Sequence, residues 1–306
     1  MADAPSHGLS EARLEDTYKG REVEGLLDVF FYRPVGYYLA LQARTLNLTP
    51  AAVTLVGGVM GIAAGHFYYY ADLRLNAFGM LLHILSNALD NADGQLARLT
   101  GRGSRVGRAL DGFVDNLVFA SVYVHLCLRY TAHGGTSAVW LLGLAAAASH
   151  SLQSASADYL RNAYLYFTGN RSELETSTTL TSSIRQRDRP EAWWKQLLLS
   201  LYLSYTREQE LLAPGVARLL AAFPTGIPQL LVTNYRAKVL PVLRMAGALT
   251  TNSRMMILFI LLGIAQPIWY LVIEVTALNL VLATVLLRHH VVVIRLAETV
   301  SQPNDF

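Results

Sequence analysis

Apolar runs of membrane length, separated by short polar breaks, dominate the chain from residue 50 onward. A bilayer crossing takes about 20 predominantly apolar residues. Thr49-Pro50 reads as a helix start, with Thr49 as cap and Pro50 in the first turn. The run from Ala51 to Tyr70 is a first span with glycines at 57, 58, 61 and 65, and small residues four apart let helices approach closely in lipid. His66 and Tyr68 to Tyr70 are expected as anchors at its far end. Further spans are predicted over about 75–97, 106–130 and 137–167. Forty residues from Met255 to Ile294 suit two more, joined near Glu274. The pattern predicts an all-α integral membrane protein with about six transmembrane helices. An amphipathic segment over 21–46, with Phe30, Phe31 and Arg33, fits an interfacial helix preceding them or a helix packed on the domain.

The polar remainder sets the organisation. Residues 1–20 read as a loose polar tail and 21–167 as the interfacial helix with four spans. Residues 168–250 form an insertion expected to hug the membrane surface, and 251–306 the last two spans and a tail. With six spans, the termini, the arginine-rich turn at 98–108 and the basic insertion share a side, while few arginines mark the other. The positive-inside rule makes that shared side cytoplasmic, as for the inner or plasma membrane of a bacterium.

Composition agrees with this picture. The 306 residues are 53% hydrophobic and 15% charged, with a mean hydropathy of +0.31. A net charge of +3 gives no reason to expect nucleic acid. The single Cys127 excludes a disulfide framework within the chain and a thiolate metal cluster. The N-terminal stretch lacks a signal-peptide core, so membrane insertion is expected from the internal spans.

Against this background, Leu89 to Asn116 stands out. Asp90 and Asp93 lie three residues apart and Asp111 and Asp115 four apart, so each pair shares a helix face. Carboxylates in a low-dielectric site cost several kcal/mol, to order of magnitude, unless compensated. Hard oxygen ligands without His or Cys suit Mg²⁺ or Mn²⁺, and four can hold two ions that clamp phosphoryl oxygens. Gly94, Ala97 and Gly107 clear space, Arg98 can pair with phosphate, and Arg102, Arg105 and Arg108 make the entrance positive. Structural ion pairs or a transport pathway are the competing readings. On the 137–167 span, His150, Ser154, Asp158 and Arg161 share one face, with Gln153 beside them. They are either a polar seam that satisfies itself or the wall of an acceptor pocket.

The pattern D-x2-D-G-x2-A-R-x8-G-x3-D-x3-D, filled by Asp90, Asp93, Gly94, Ala97, Arg98, Gly107, Asp111 and Asp115, resembles the signature of the CDP-alcohol phosphotransferase family. The Leu48–Thr54 segment also resembles the entry to the family's first span, with Ala51 where asparagine is common. The resemblance covers about residues 30–165 and leaves 168–250 outside. It implies a six-span, metal-dependent enzyme of phospholipid synthesis, commonly a homodimer, with a cytoplasmic active site. Such an enzyme moves a phospho-alcohol group from a CDP-linked donor to an acceptor alcohol and releases CMP. Carried over, Asp90, Asp93, Asp111 and Asp115 hold Mg²⁺ or Mn²⁺, and Asp115 is also the general base. Gly94, Ala97 and Gly107 line the nucleotide site, supported by Arg98 and bordered by Pro50 and Thr54. CDP-diacylglycerol with a polar alcohol is the expected donor and acceptor; CDP-choline or CDP-ethanolamine with diacylglycerol is the alternative.

Overall fold

A computed structural model describes residues 20, 22–169, 173–186, 192–223 and 227–301. Among these every regular element is a helix, in accord with an all-α membrane protein. The polar tail expected over 1–20 lies outside the described residues except for Gly20.

A π-helical turn, Asp28–Tyr32, runs into α1 (Arg33–Thr45). Leu26, Phe30 and Tyr38 are exposed, while Tyr32, Ala40 and Ala43 are buried, so the segment has one greasy outer face. Three long helices follow: α2 (Pro50–Phe67), α3 (Leu73–Thr100) and α4 (Arg105–Ala132). Each start has a side-chain cap that satisfies amide groups the helix itself leaves orphaned. Thr49 accepts from the Ala52 amide, Asp72 from those of Arg74 and Leu75, and Ser104 from that of Gly107. Gly101 ends α3 in the left-handed conformation at φ 64°, and the Arg102 amide reaches back to the Ala97 carbonyl at 3.0 Å. Four residues therefore turn the chain from α3 into α4 with both ends fixed.

The glycines of α2 let α3 and α4 approach. A Cβ on Gly65 would lie 2.5 Å from Ser121 Oγ and 2.9 Å from the Ser121 carbonyl carbon and the Val122 amide. The opposite face of α2 presents Leu55, Val56, Val59 and Ile62 outward. Tyr68, expected as an interfacial anchor, is instead fully buried. Its hydroxyl lies 3.2 Å from His83 Nδ1, and its carbonyl accepts from Arg129.

Helix α5 (Val139–Phe167) is longer than a bilayer needs, about 43 Å at 1.5 Å per residue. The insertion forms α6 (Ser177–Gln186), α7 (Trp193–Leu212), α8 (Pro214–Ala222) and α9 (Gln229–Ala246). It does more than lie on the surface. Val216, Leu219, Leu231, Tyr235 and Val239 are fully buried in a core with Tyr164 of α5 and with Val285 and Val293 of the last helix. His289, also buried there, has its Nε2 3.4 Å from the Tyr235 hydroxyl.

The C-terminal region forms α10 (Thr251–Gly263), α11 (Ile268–Val275) and α12 (Ala277–Ser301). The expected join near Glu274 is corrected here: the turn falls at 264–267, where Ala265 takes φ 58° and Pro267 starts α11. Thr276 only offsets α11 from α12, and backbone hydrogen bonds of 3.0 Å continue on either side of it. Among the described residues, four stretches are long and apolar enough to cross a membrane: Pro50–Phe67, Arg105–Ala132, Gln229–Gly263 and Ile268–Leu296. The third is interrupted by a short 3₁₀ turn at Gly247–Leu249. Polar side chains keep α3 and α5 out of that set, although both pack within the same bundle.

Candidate metal and nucleotide site

The last third of α3 and the first turns of α4 bring Asp90, Asp93 and Asp111 together, each with a carboxylate oxygen within 4.8 Å of the other two. Asp93 is buried; Asp90 and Asp111 are half-buried. The Thr54 hydroxyl sits between the Pro50 carbonyl, 3.0 Å away, and the Asp93 carboxylate, to which it donates. The first turn of α2 thus orients one of the three acids, in the way outer hydrogen bonds orient metal ligands.

The donor set fits a hard divalent cation. Asp111 Oδ1 is buried and accepts no hydrogen bond from the protein. An orphaned carboxylate oxygen facing two further carboxylates is costly without a cation between them. Asp115, one turn beyond Asp111, lies outside this trio and is exposed.

Space beside the acids is open. A Cβ on Gly94 would meet only the far end of Arg98, at 3.7 Å, one on Gly107 only its own capping Ser104 Oγ at 3.1 Å, and one on Gly112 nothing within 4 Å. These glycines differ in kind from those of α2, whose missing side chains are replaced by a neighbouring helix. Ala97 is half-buried and Arg98 exposed at the same end of α3.

The positive entrance expected from Arg102, Arg105 and Arg108 is only partly so. Glu175, in the segment leading into α6, accepts from Arg108 Nη2 at 2.5 Å and lies 3.7 Å from Arg105 Nε. Its other oxygen accepts from the Tyr202 hydroxyl of α7 at 2.7 Å. Burial, and then the facing Glu175 carboxylate, push the Tyr202 phenol up to about 12, so it remains a donor at neutral pH. A partner 67 residues away is not visible in a local motif.

The five residues considered for an acceptor pocket divide into two groups. His150 and Gln153 are buried, and with Ser154 they surround Arg254, whose guanidinium donates to Gln153 Oε1 and, at 2.8 Å, to Ser154 Oγ. Glu274 lies 3.3 Å from Arg254 Nε, and the Tyr123 hydroxyl 3.0 Å from His150 Nδ1. This group is a buried polar cluster between α4, α5, α10 and α11, in which Arg254 Nε and both Glu274 carboxylate oxygens have no hydrogen-bond partner. Asp158 and Arg161 pair with one another at 3.6 Å and are more exposed. Arg254 itself is fully buried.

Asn87, unremarked in the sequence, lies one turn before Asp90 and donates to Asn252 Oδ1 at 2.7 Å; Asn252 in turn donates to Asp28 Oδ1 at 2.7 Å. This chain ties the interfacial segment and α10 to the helix that carries the first two acids. Asn87 shares a helix face with Asp90, three residues on, but nothing in the sequence marks its partners.

Residues 47–166 match the family model described as CDP-alcohol phosphatidyltransferase. The chain is 30% identical over 99 residues to an archaetidylinositol phosphate synthase of Pyrococcus horikoshii, covering 32% of this chain and 51% of that protein. It is 32% identical over 99 residues to an uncharacterized protein of Aquifex aeolicus, covering 32% and 49%. The chain thus matches about half the length of these curated relatives.

Proposed function

We propose that this chain, whose residues 47–166 match the family model described as CDP-alcohol phosphatidyltransferase, transfers a phosphatidyl-type group from a CDP-linked lipid to an acceptor hydroxyl and releases CMP. The observation that carries the reading is the carboxylate trio beside unfilled glycine positions, with an orphaned oxygen on Asp111.

Asp90, Asp93 and Asp111 would hold Mg²⁺ or Mn²⁺, and a second ion would draw on Asp115. A bound divalent cation supplies charge neutralisation of the diphosphate and of the departing CMP. Gly94, Ala97 and Gly107 leave room for the cytidine diphosphate backbone, and Arg98 offers a bidentate phosphate contact. Pro50 and Thr54 border that space, Thr54 by fixing Asp93. Asp115, exposed one turn beyond Asp111, takes the acceptor hydroxyl proton. The acceptor oxygen then forms its bond to the phosphorus carrying the lipid group as the bond to CMP breaks. Positioning supplies much of the rate.

The relative named archaetidylinositol phosphate synthase favours, by its name, a phosphorylated alcohol as acceptor; CDP-diacylglycerol or a similar CDP-lipid is the donor proposed here. The arginine-rich turn and the basic insertion support a cytoplasmic face for the site.

The test is CMP release by purified protein with Mg²⁺ across pairs of CDP-lipid and alcohol or alcohol phosphate. CDP-choline and CDP-ethanolamine with diacylglycerol form a separate arm. Release from a CDP-lipid pair is the expected result; release only from the CDP-amino-alcohol arm transfers the assignment to that reaction. A folded protein that releases no CMP with any pair refutes the enzyme.

A further inference from the structure

Glu175 is held by groups that would equally hold a phosphate. One oxygen accepts from Arg108 Nη2 at 2.5 Å and lies 3.7 Å from Arg105 Nε, and the other accepts from the Tyr202 hydroxyl at 2.7 Å. Donors from two helices, α4 and α7, converge on a single anionic group. Two are guanidinium groups, whose planar fork matches phosphate and carboxylate alike. The segment carrying Glu175 is pinned just beyond it, where the Ser177 amide and hydroxyl donate to Glu210 of α7 at 2.7 and 2.6 Å.

The location matters as much as the donors. Arg108 is three residues before Asp111 and seven before Asp115, on the same face of α4 as both. Its side chain is 48% exposed, and those of Arg105 and Glu175 are 37% and 34% exposed. An ion pair this open to water contributes little to folding. It is readily exchanged for an anion of higher charge arriving from solution.

We propose that Arg105, Arg108 and Tyr202 form a subsite for a substrate phosphate, and that Glu175 occupies it as an internal stand-in until that phosphate binds. The proposal rests on the phosphatidyl-transfer reading for the word substrate, but its first test does not. Arg105 and Arg108 donate to the phosphate oxygens, Tyr202 contributes a neutral O–H donor, and Glu175 withdraws toward solvent.

The experiment compares the wild-type chain with Glu175→Gln, in which the side-chain shape and the acceptor for Tyr202 remain but the charge is gone. Inorganic phosphate is titrated into the purified, metal-free proteins, and binding is read by calorimetry. Loss of the competing charge should tighten phosphate binding by about tenfold, the worth of one charge-assisted hydrogen bond. Adding Arg108→Gln to that variant should abolish the gain. Equal affinities for wild type and a folded Glu175→Gln protein overturn the proposal. Should Glu175→Gln fail to fold, Glu175→Ala, which also removes the charge, is measured with the same expectation.

A kinetic arm then identifies the source of the phosphate. A lower KM for a phosphorylated acceptor, with that for the CDP-lipid unchanged, assigns the subsite to the acceptor; the reverse assigns it to the donor diphosphate. Tighter inorganic phosphate with both KM values unmoved overturns the substrate role. Absence of CMP release in wild type would defeat the enzymatic reading while leaving the calorimetric result to stand or fall separately.

Discussion

Arg254 and Glu274 face one another at 3.3 Å with neither side chain exposed to any degree. The guanidinium is further satisfied by Gln153 and Ser154, so the charge is compensated inside the bundle. Removing one partner leaves the other buried and uncompensated. Glu274→Gln is expected to cost about 3–5 kcal/mol, read as a lower thermal unfolding temperature in detergent. The Arg254→Met/Glu274→Leu double variant should lose less than the sum of the single changes, because neither charge is then stranded. Additive losses would show that the pair is not coupled.

This pair is also a contact that no local stretch of sequence displays. A lone acid in an apolar run looks like a turn, because nothing nearby offsets its charge. Its partner lies 20 residues away, and the turn itself falls at Ala265, an alanine whose positive φ leaves no mark in the sequence, just before Pro267. By contrast, Thr49-Pro50 and the four aspartates were legible because caps and helix faces are local properties, and the structure brings three of the acids together as their spacing requires. Glu175 and Tyr202 were not legible at the entrance, since their place depends on how α7 packs against α4.

The two classes of glycine should separate in experiment. Gly65→Ala places a methyl group against the backbone of α4 and is expected to destabilise by about 1–3 kcal/mol. Gly94→Ala meets no backbone, and alanine favours a helix by up to about 1 kcal/mol over glycine. Its unfolding temperature should hold or rise while KM for the CDP-linked donor increases. An unchanged KM would remove Gly94 from the nucleotide site.

Asp115 and Asp93 are expected to fail differently. Asp115→Asn should lower kcat by about 10²–10⁴-fold, the usual worth of a general base, with CDP-donor affinity largely kept. Asp93→Asn should weaken metal and donor binding together. Thr54→Val, which strips the hydroxyl from Asp93, should weaken Mn²⁺ binding by about 10–100-fold, measured by electron paramagnetic resonance titration. Full turnover in Asp115→Asn would end its assignment as base, and Mn²⁺ affinity equal to wild type in Thr54→Val would end the orienting role of Thr54.

The outward face of α2, with Leu55, Val56, Val59 and Ile62 toward lipid and Thr54 toward the acids, has a kinetic consequence. A donor whose tails stay in the bilayer reaches such a site sideways, by diffusion in two dimensions. Its effective concentration is then its share of the surrounding lipid molecules, whatever the volume of the assay. Diluting the donor with inert lipid in vesicles should slow CMP release even when the total amount of donor is fixed. Diluting the whole vesicle suspension, with protein and lipid embedded together, should leave turnover per enzyme unchanged at saturating acceptor.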